Sequence, residues 1–173
     1  SYIPTSGSTV TRAADVSTSA LGVVSWYNQS EGTVFVDSSS VTDVQSSIQR
    51  ALFMLRKSPS VDRYHTLGYR GGVDHYTIQT RINGSFVFSP VDGGDPTYKD
   101  KLGYAYSSDG GTFMSNQTSV STSTADLSVI DPAILHIGNI SAGSRHLNGH
   151  ISRLAYFPTR KTDQELIDLT VDN

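Results

Sequence analysis

Only two glutamates occur in this chain, Glu31 and Glu165, and they lie at opposite ends of it. Retaining glycoside hydrolysis needs two carboxyl groups about 5 Å apart, one as nucleophile and one as acid. Glu31 precedes a strand-like run, and Glu165 falls in the terminal amphipathic segment, where it reads as a capping residue. Asp92 and Asp95 in Asp-Gly-Gly-Asp-Pro form the nearest carboxylate pair, and that composition reads as a polar turn. Cysteine is absent, which removes thiol chemistry and thiolate metal sites, and there is no Gly-x-Ser-x-Gly elbow. The histidines stand at 65, 75, 136, 146 and 150. His146 and His150 are four apart, but Leu147-Asn148-Gly149 between them predicts a turn, not a helix presenting two rings to a metal. His136 sits in an apolar strand and reads as a hydrogen-bonded core residue. The residue set points away from an enzyme.

Non-covalent recognition of a sugar asks for less. An aromatic face stacks on the apolar side of a pyranose, and Asn, Asp, Arg or His hydrogen-bond its hydroxyls. Nine tyrosines stand against six phenylalanines and one tryptophan. Candidate contacts are Tyr69 and Arg70, then His75 and Arg81, then Tyr104 and Tyr106, with Arg145 and His146 further on. For each the plainer reading is an ordinary sheet residue, and for any single tyrosine that reading is favoured. Tyr76 shares a face with Ile78 and Ile82 and is expected in the core. Trp26 and Tyr27 are expected to pack against the terminal helix.

These side chains must be carried by strands. Thr33/Phe35 and Val34/Val36 alternate in Gly32–Asp37, and Tyr76, Ile78, Thr80 and Ile82 alternate with Thr77, Gln79 and Arg81. Asn83-Gly84 lies between two strand-like runs, a hairpin signal, and Asp109-Gly110-Gly111 marks a second turn. The run from Ser47 to Lys57 contains helix formers, yet its short apolar core with Pro59 close behind reads as a buried strand. Residues 116–131 read as a long polar strand or loop, and Ala133–Asn139 and His150–Pro158 as strands. Thr162 with Glu165 three residues on opens one short helix. About ten short strands separated by turns predict an all-β, two-sheet antiparallel β-sandwich with one short C-terminal helix.

At 173 residues the chain supports one well-buried core. Its charged fraction, 17%, is low because Ser, Thr and Gly fill the surface, which suits sheets with polar turns. A net charge of −3 with scattered basic residues excludes nucleic acid as partner. No apolar run is long enough to span a membrane, and no signal segment stands at the start.

Two stretches carry a resemblance. Ile137-Gly138, Asn148-Gly149 with Ile151, Leu154 to Phe157 and Thr162 to Leu169 resemble the end of concanavalin A-like, laminin-G-like jelly-roll domains. Ser115-Asn116-Gln117 stands where that pattern has Asn-Gly. Tyr2 to Asp15 with Ser30 to Asp37 resembles a junction in phage tail and other virion proteins, where it joins a preceding β-sandwich to such a module. The resemblance implies an extended linker over 1–20 and a single lectin-like domain over 21–173. It implies a carbohydrate-binding module of a tail fibre or tailspike, extracellular on the virion, that recognises a bacterial surface polysaccharide. Its partners would be that glycan, other domains of the same virion protein, and two further copies in a homotrimer. Two alternatives stay open: a structural or oligomerisation module of a fibre, and an accessory domain of a polysaccharide-degrading enzyme. Glucanases of this fold use a Glu-x-Asp-x-x-Glu strand, which this chain lacks. Laminin-G-like domains often hold calcium at a loop rim, and Asp92, Asp95, Asp109 and Asn148 would be the oxygen ligands here; no other cofactor is expected.

Overall fold

The computed structural model describes residues 17–20, 25–39, 49–57, 62–70, 75–92, 100–140, 146–147 and 149–171. Alternation of apolar and polar side chains produces two antiparallel sheets, as the sequence predicts. The first sheet, sheet A, holds β1 (Ser17–Ala20), β3 (Gln49–Arg56), β4 (Tyr64–Arg70), β5 (His75–Ile82), β6 (Ser85–Phe88), β7 (Val91–Asp92) and β11 (Ile134–Ile137). Its order is β1-β11-β3-β4-β5-β6, and β7 pairs with the opposite end of β5. Sheet B has the order β10-β9-β8-β2-β12, built from β2 (Gly32–Ser39), β8 (Asp100–Ser107), β9 (Gly110–Ser115), β10 (Thr118–Ser123) and β12 (His150–Phe157). The last four residues of the stretch expected as a connector therefore form an edge strand, with β1 paired to β11.

The core lies between the inner faces of the two sheets. Phe53, Leu55, Leu67, Tyr69, Tyr76, Ile78 and Phe88 from sheet A meet Val34, Val36, Leu102, Tyr104, Tyr106 and Phe113 from sheet B. β3 is a strand despite its helix formers because it is a central strand, hydrogen-bonded to β11 on one side and β4 on the other. Tertiary pairing outweighs a propensity worth only tenths of a kcal/mol per residue. Asn83 and Gly84 both have positive φ, 49° and 81°, as the two-residue β5–β6 hairpin turn requires. The polar stretch after Ser115 resolves into a turn at Asn116-Gln117, the edge strand β10 and a 3-10 turn at Ser128–Ile130.

Helix α1 (Asp163–Thr170) packs on the outer face of sheet B, where Leu166 meets Ala105 and Met114. The Thr162 hydroxyl accepts from the Glu165 N–H, and the Glu165 carboxylate accepts from the Thr162 N–H. These hydrogen bonds, with the Lys161 ammonium beside it, lower the pKa of the Glu165 carboxyl to about 2. Thr162→Ala removes the side-chain cap, and we expect it to cost about 1 kcal/mol of stability in urea titration. No change in the unfolding midpoint would show that the helix is held by its sheet contacts alone.

Trp26 does not reach α1. Its ring lies edge-on to Tyr156 at 5.3 Å and to Tyr27 at 6.3 Å. It stands at a small apolar crevice with Val34, Leu135 and Leu154, at the mouth between the sheets. The reason is topological: the segment before β2 enters beside β12, whereas the helix lies over β8, β9 and β10.

Candidate functional site

Helix α1 covers part of the outer face of sheet B, whereas among the described residues no α-helix lies on the outer face of sheet A. Strand alternation decides what that face presents. With Phe53, Leu55, Leu67, Tyr69, Tyr76 and Ile78 turned inward, Met54, Arg56, Tyr64, Thr66, Thr77, Gln79 and Arg81 turn outward. The register then aligns them in rows. Ile134 pairs with Arg56, Arg56 with Tyr64, Tyr64 with Arg81, and Arg81 with Phe86, so one row crosses five strands. The next row runs His136, Met54, Thr66 and Gln79.

Two guanidinium groups thus flank a tyrosine on one face. Arg56 and Arg81 are two strand spacings apart, about 10 Å at the backbone. Arg81 donates from Nε to the Gly84 carbonyl at 2.8 Å, and its guanidinium lies 5.5 Å from the Phe86 ring centre. Phe86 is 55% exposed, so that ring is open to solvent. Arg56 is half-buried, and its Nε has no hydrogen-bond partner. Tyr64 between the arginines is 9% exposed, and Met54, Thr66 and Thr77 on this face are buried, so the accessible charged and aromatic groups of the row are Phe86 and the two half-buried arginines. These supply what an acidic sugar needs: forked cationic donors for a carboxylate and, in Phe86, an aromatic face for the ring.

The second row is less ordinary. His136 is 2% exposed, and neither ring nitrogen has a hydrogen-bond partner. It is buried, as the sequence predicts, but on the outer face and unpaired, which corrects the expectation of a hydrogen-bonded core residue. Burial lowers its pKa, and the Arg56 charge lowers it further. The Asn139 amide lies beside the ring, close enough to favour its protonated form yet outside hydrogen-bond geometry.

Of the residues expected to contact sugar, three are core. Tyr69, Tyr104 and Tyr106 have no exposed surface, so no ligand can stack on them. Tyrosine serves in this interior because its hydroxyl can be paired there. Tyr104 Oη lies 2.8 Å from His65 Nδ1 and 3.1 Å from Thr80 Oγ1, and Tyr106 Oη donates to the Asn28 carbonyl at 2.8 Å. Burial raises the pKa of both phenols. His75 and Arg81 do share the outer face of β5, but six residues separate them, about 20 Å along a strand. His146 is half-buried, with its carbonyl accepting from Arg50 Nη1 at 3.2 Å. The Arg70 side chain and Arg145 lie outside the described residues. Arg56, Tyr64, Gln79 and His136 were missed by sequence reasoning; each sits in a run whose periodicity signals a strand, but facing rows need the register.

Among the calcium candidates, the Asp92 side chain, Asp95 and Asn148 lie outside the described residues. Asp109 is exposed beside a polar cavity of about 390 Å³ at the sheet B rim, with Glu31, Ser108 and Arg160. Glu31 there accepts from the Arg160 N–H at 3.0 Å. Among the described residues no three His, Asp or Glu side chains gather as a metal would require. No described helix is long and apolar enough to cross a membrane.

No family model matches this chain, and no curated protein matches its sequence. Solved structures do share its shape. The CBM40 of the Ruminococcus gnavus IT-sialidase, bound to α2,3-sialyllactose, superposes with a TM-score of 0.67 at 14% identity over 84% of each chain. The NanB sialidase of Streptococcus pneumoniae gives 0.68 at 18% identity, covering 91% of this chain and 27% of that one. Mouse laminin α1 LG4-5 gives 0.61 at 8% identity, over 86% and 40%. The fold is thus a concanavalin A-like, laminin-G-like β-sandwich with one short C-terminal helix.

Proposed function

We propose that this domain is a non-catalytic carbohydrate-binding module whose site is the outer face of sheet A, and that its ligand is an acidic glycan. The observation that carries this reading is the row Arg56–Tyr64–Arg81–Phe86 on that face. The sialyllactose bound by the R. gnavus CBM40 is a ligand of that chemistry in the same fold. Catalysis has little to work with, since Glu165 caps a helix and Glu31 is engaged by the Arg160 backbone. The resemblance of the N-terminal stretch to phage junctions supports a place in a tail fibre or tailspike, with a bacterial surface glycan as the target.

The test is titration of the domain with 3′-sialyllactose and with acidic bacterial polysaccharide fragments, against neutral lactose as control. Acidic ligands should bind and lactose should not. Arg56→Ala and Arg81→Ala should each weaken binding about 10- to 100-fold, the scale of one charge-assisted contact. Retention of full affinity in both variants would move the site elsewhere. Absence of binding to every acidic and neutral glycan would leave the fibre-assembly reading, for which the solution mass is the decisive number.

A further inference from the structure

Buried polar groups are nearly always hydrogen-bonded, because an unpaired one forfeits its hydration with nothing in return. His136 and Asn139 break that rule together. They are 2% and 1% exposed, and all four of their side-chain polar atoms, Nδ1 and Nε2 of His136 with Oδ1 and Nδ2 of Asn139, lack a partner. They stand three residues apart at the end of β11, next to the row that carries the arginines, and Met54 pairs with His136 across β3. Leucine at either position would fill similar space at no such cost. A sequence that keeps unsatisfied groups at one place usually does so for function.

We infer that His136 and Asn139 form the hydroxyl-reading part of the glycan site, pairing with sugar hydroxyls while Arg56 and Arg81 take the acidic group. The inference rests on the carbohydrate reading above and adds to it the neutral half of the recognition. Its chemistry follows from the donor set. A histidine held neutral has one donor and one acceptor, and an asparagine amide offers both as well. A carboxylate has only acceptors and would use the donors alone, leaving Asn139 Oδ1 and one ring nitrogen of His136 unpaired. A hydroxyl donates and accepts, so two neighbouring hydroxyls match this pair. Arg56, in the neighbouring row, is near enough for its charge to act on His136. The Arg56 Nε has no hydrogen-bond partner, so that donor is left for an entering ligand.

The experiment uses His136→Leu, Asn139→Leu and the conservative His136→Gln, with 3′-sialyllactose as probe. Thermal unfolding and affinity are measured on the same samples. The leucine variants should unfold at the wild-type temperature or above it and bind at least 10-fold more weakly, and His136→Gln should recover part of the affinity. Leucine variants that lose thermal stability yet bind as wild type would overturn the inference and assign the pair to interior water, leaving the carbohydrate reading intact. A wild-type domain that binds no glycan would overturn both. A second measurement needs no variant: the ¹⁵N signals of the His136 ring should move on saturation with 3′-sialyllactose. Stationary ring signals, with backbone signals of β3 and β5 moving, would sink the inference on their own.

Discussion

Between pH 7 and pH 4 the domain is expected to lose about 3 kcal/mol of stability through His65 alone. This ring is fully buried between the sheets, stacked on Tyr106 at 4.9 Å. Its Nδ1 meets Tyr104 Oη and Thr80 Oγ1, and its Nε2 faces the Leu127 backbone outside hydrogen-bond geometry. Burial lowers its pKa from 6.5 to about 3. The folded state therefore resists a proton that the unfolded chain accepts below pH 6.5. The stabilisation is complete above 6.5 and is lost as pH falls toward 3, at about 1.4 kcal/mol per unit. His65→Phe keeps the ring and leaves Tyr104 and Thr80 bonded to each other at 3.1 Å. It should be less stable than wild type at pH 7, and the gap should close by about 3 kcal/mol by pH 4 in urea titrations. Two other groups add to acid lability in both proteins and cancel in the comparison. His136 has a lowered pKa and so acts in the same direction, and Glu165, lowered from 4.5 to about 2, loses its contribution below pH 4.5. A gap that stays constant with pH would show that folding does not lower the pKa of His65.

Gly68→Ala should be the most damaging single methyl in the sheet that carries the site. A β-carbon there would stand 2.3 Å from the Arg50 carbonyl oxygen and 3.0 Å from the Ala51 α-carbon. Both are backbone atoms, so no side chain can rotate away. The closeness arises from the irregular register at Leu52, where β3 bulges against β4 between Ala51 and Phe53. Relief requires β3 and β4 to separate at the bulge, and we expect a loss of roughly 3 kcal/mol. Because β3 also carries Arg56, affinity for an acidic glycan should fall with stability. A variant within about 0.5 kcal/mol of wild type would mean that the bulge relaxes at little cost, since ordinary surface changes have effects of that size.

His65 and Gly68 owe their sensitivity to one cause. Both lie on one strand, β4, and neither looks unusual in sequence. What makes one titrate abnormally and the other irreplaceable is what stands across from it. The same holds for the site. Arg81 was legible as an outward residue because the alternation of His75–Ile82 is visible within the segment itself. Arg56 closes an apolar run, and nothing local says that it faces Tyr64, which faces Arg81.

The class of the fold follows from local sequence, since alternation, the Asn83-Gly84 turn and the Thr162–Glu165 capping box are each properties of a few adjacent residues. Sequence also ruled out thiol chemistry and a glutamate pair, because those depend only on which residues exist. Tertiary structure alone decided which tyrosines are interior. Nothing local in Tyr69, Tyr104 or Tyr106 separates an interior tyrosine from a sugar contact, because their faces are set by which side of each strand meets the opposite sheet. It alone aligned Arg56, Tyr64, Arg81 and Phe86, and it alone left His136 and Asn139 buried without partners. Burial and pairing across strands are long-range facts: a shift of one residue in register would turn every one of these side chains to the other face.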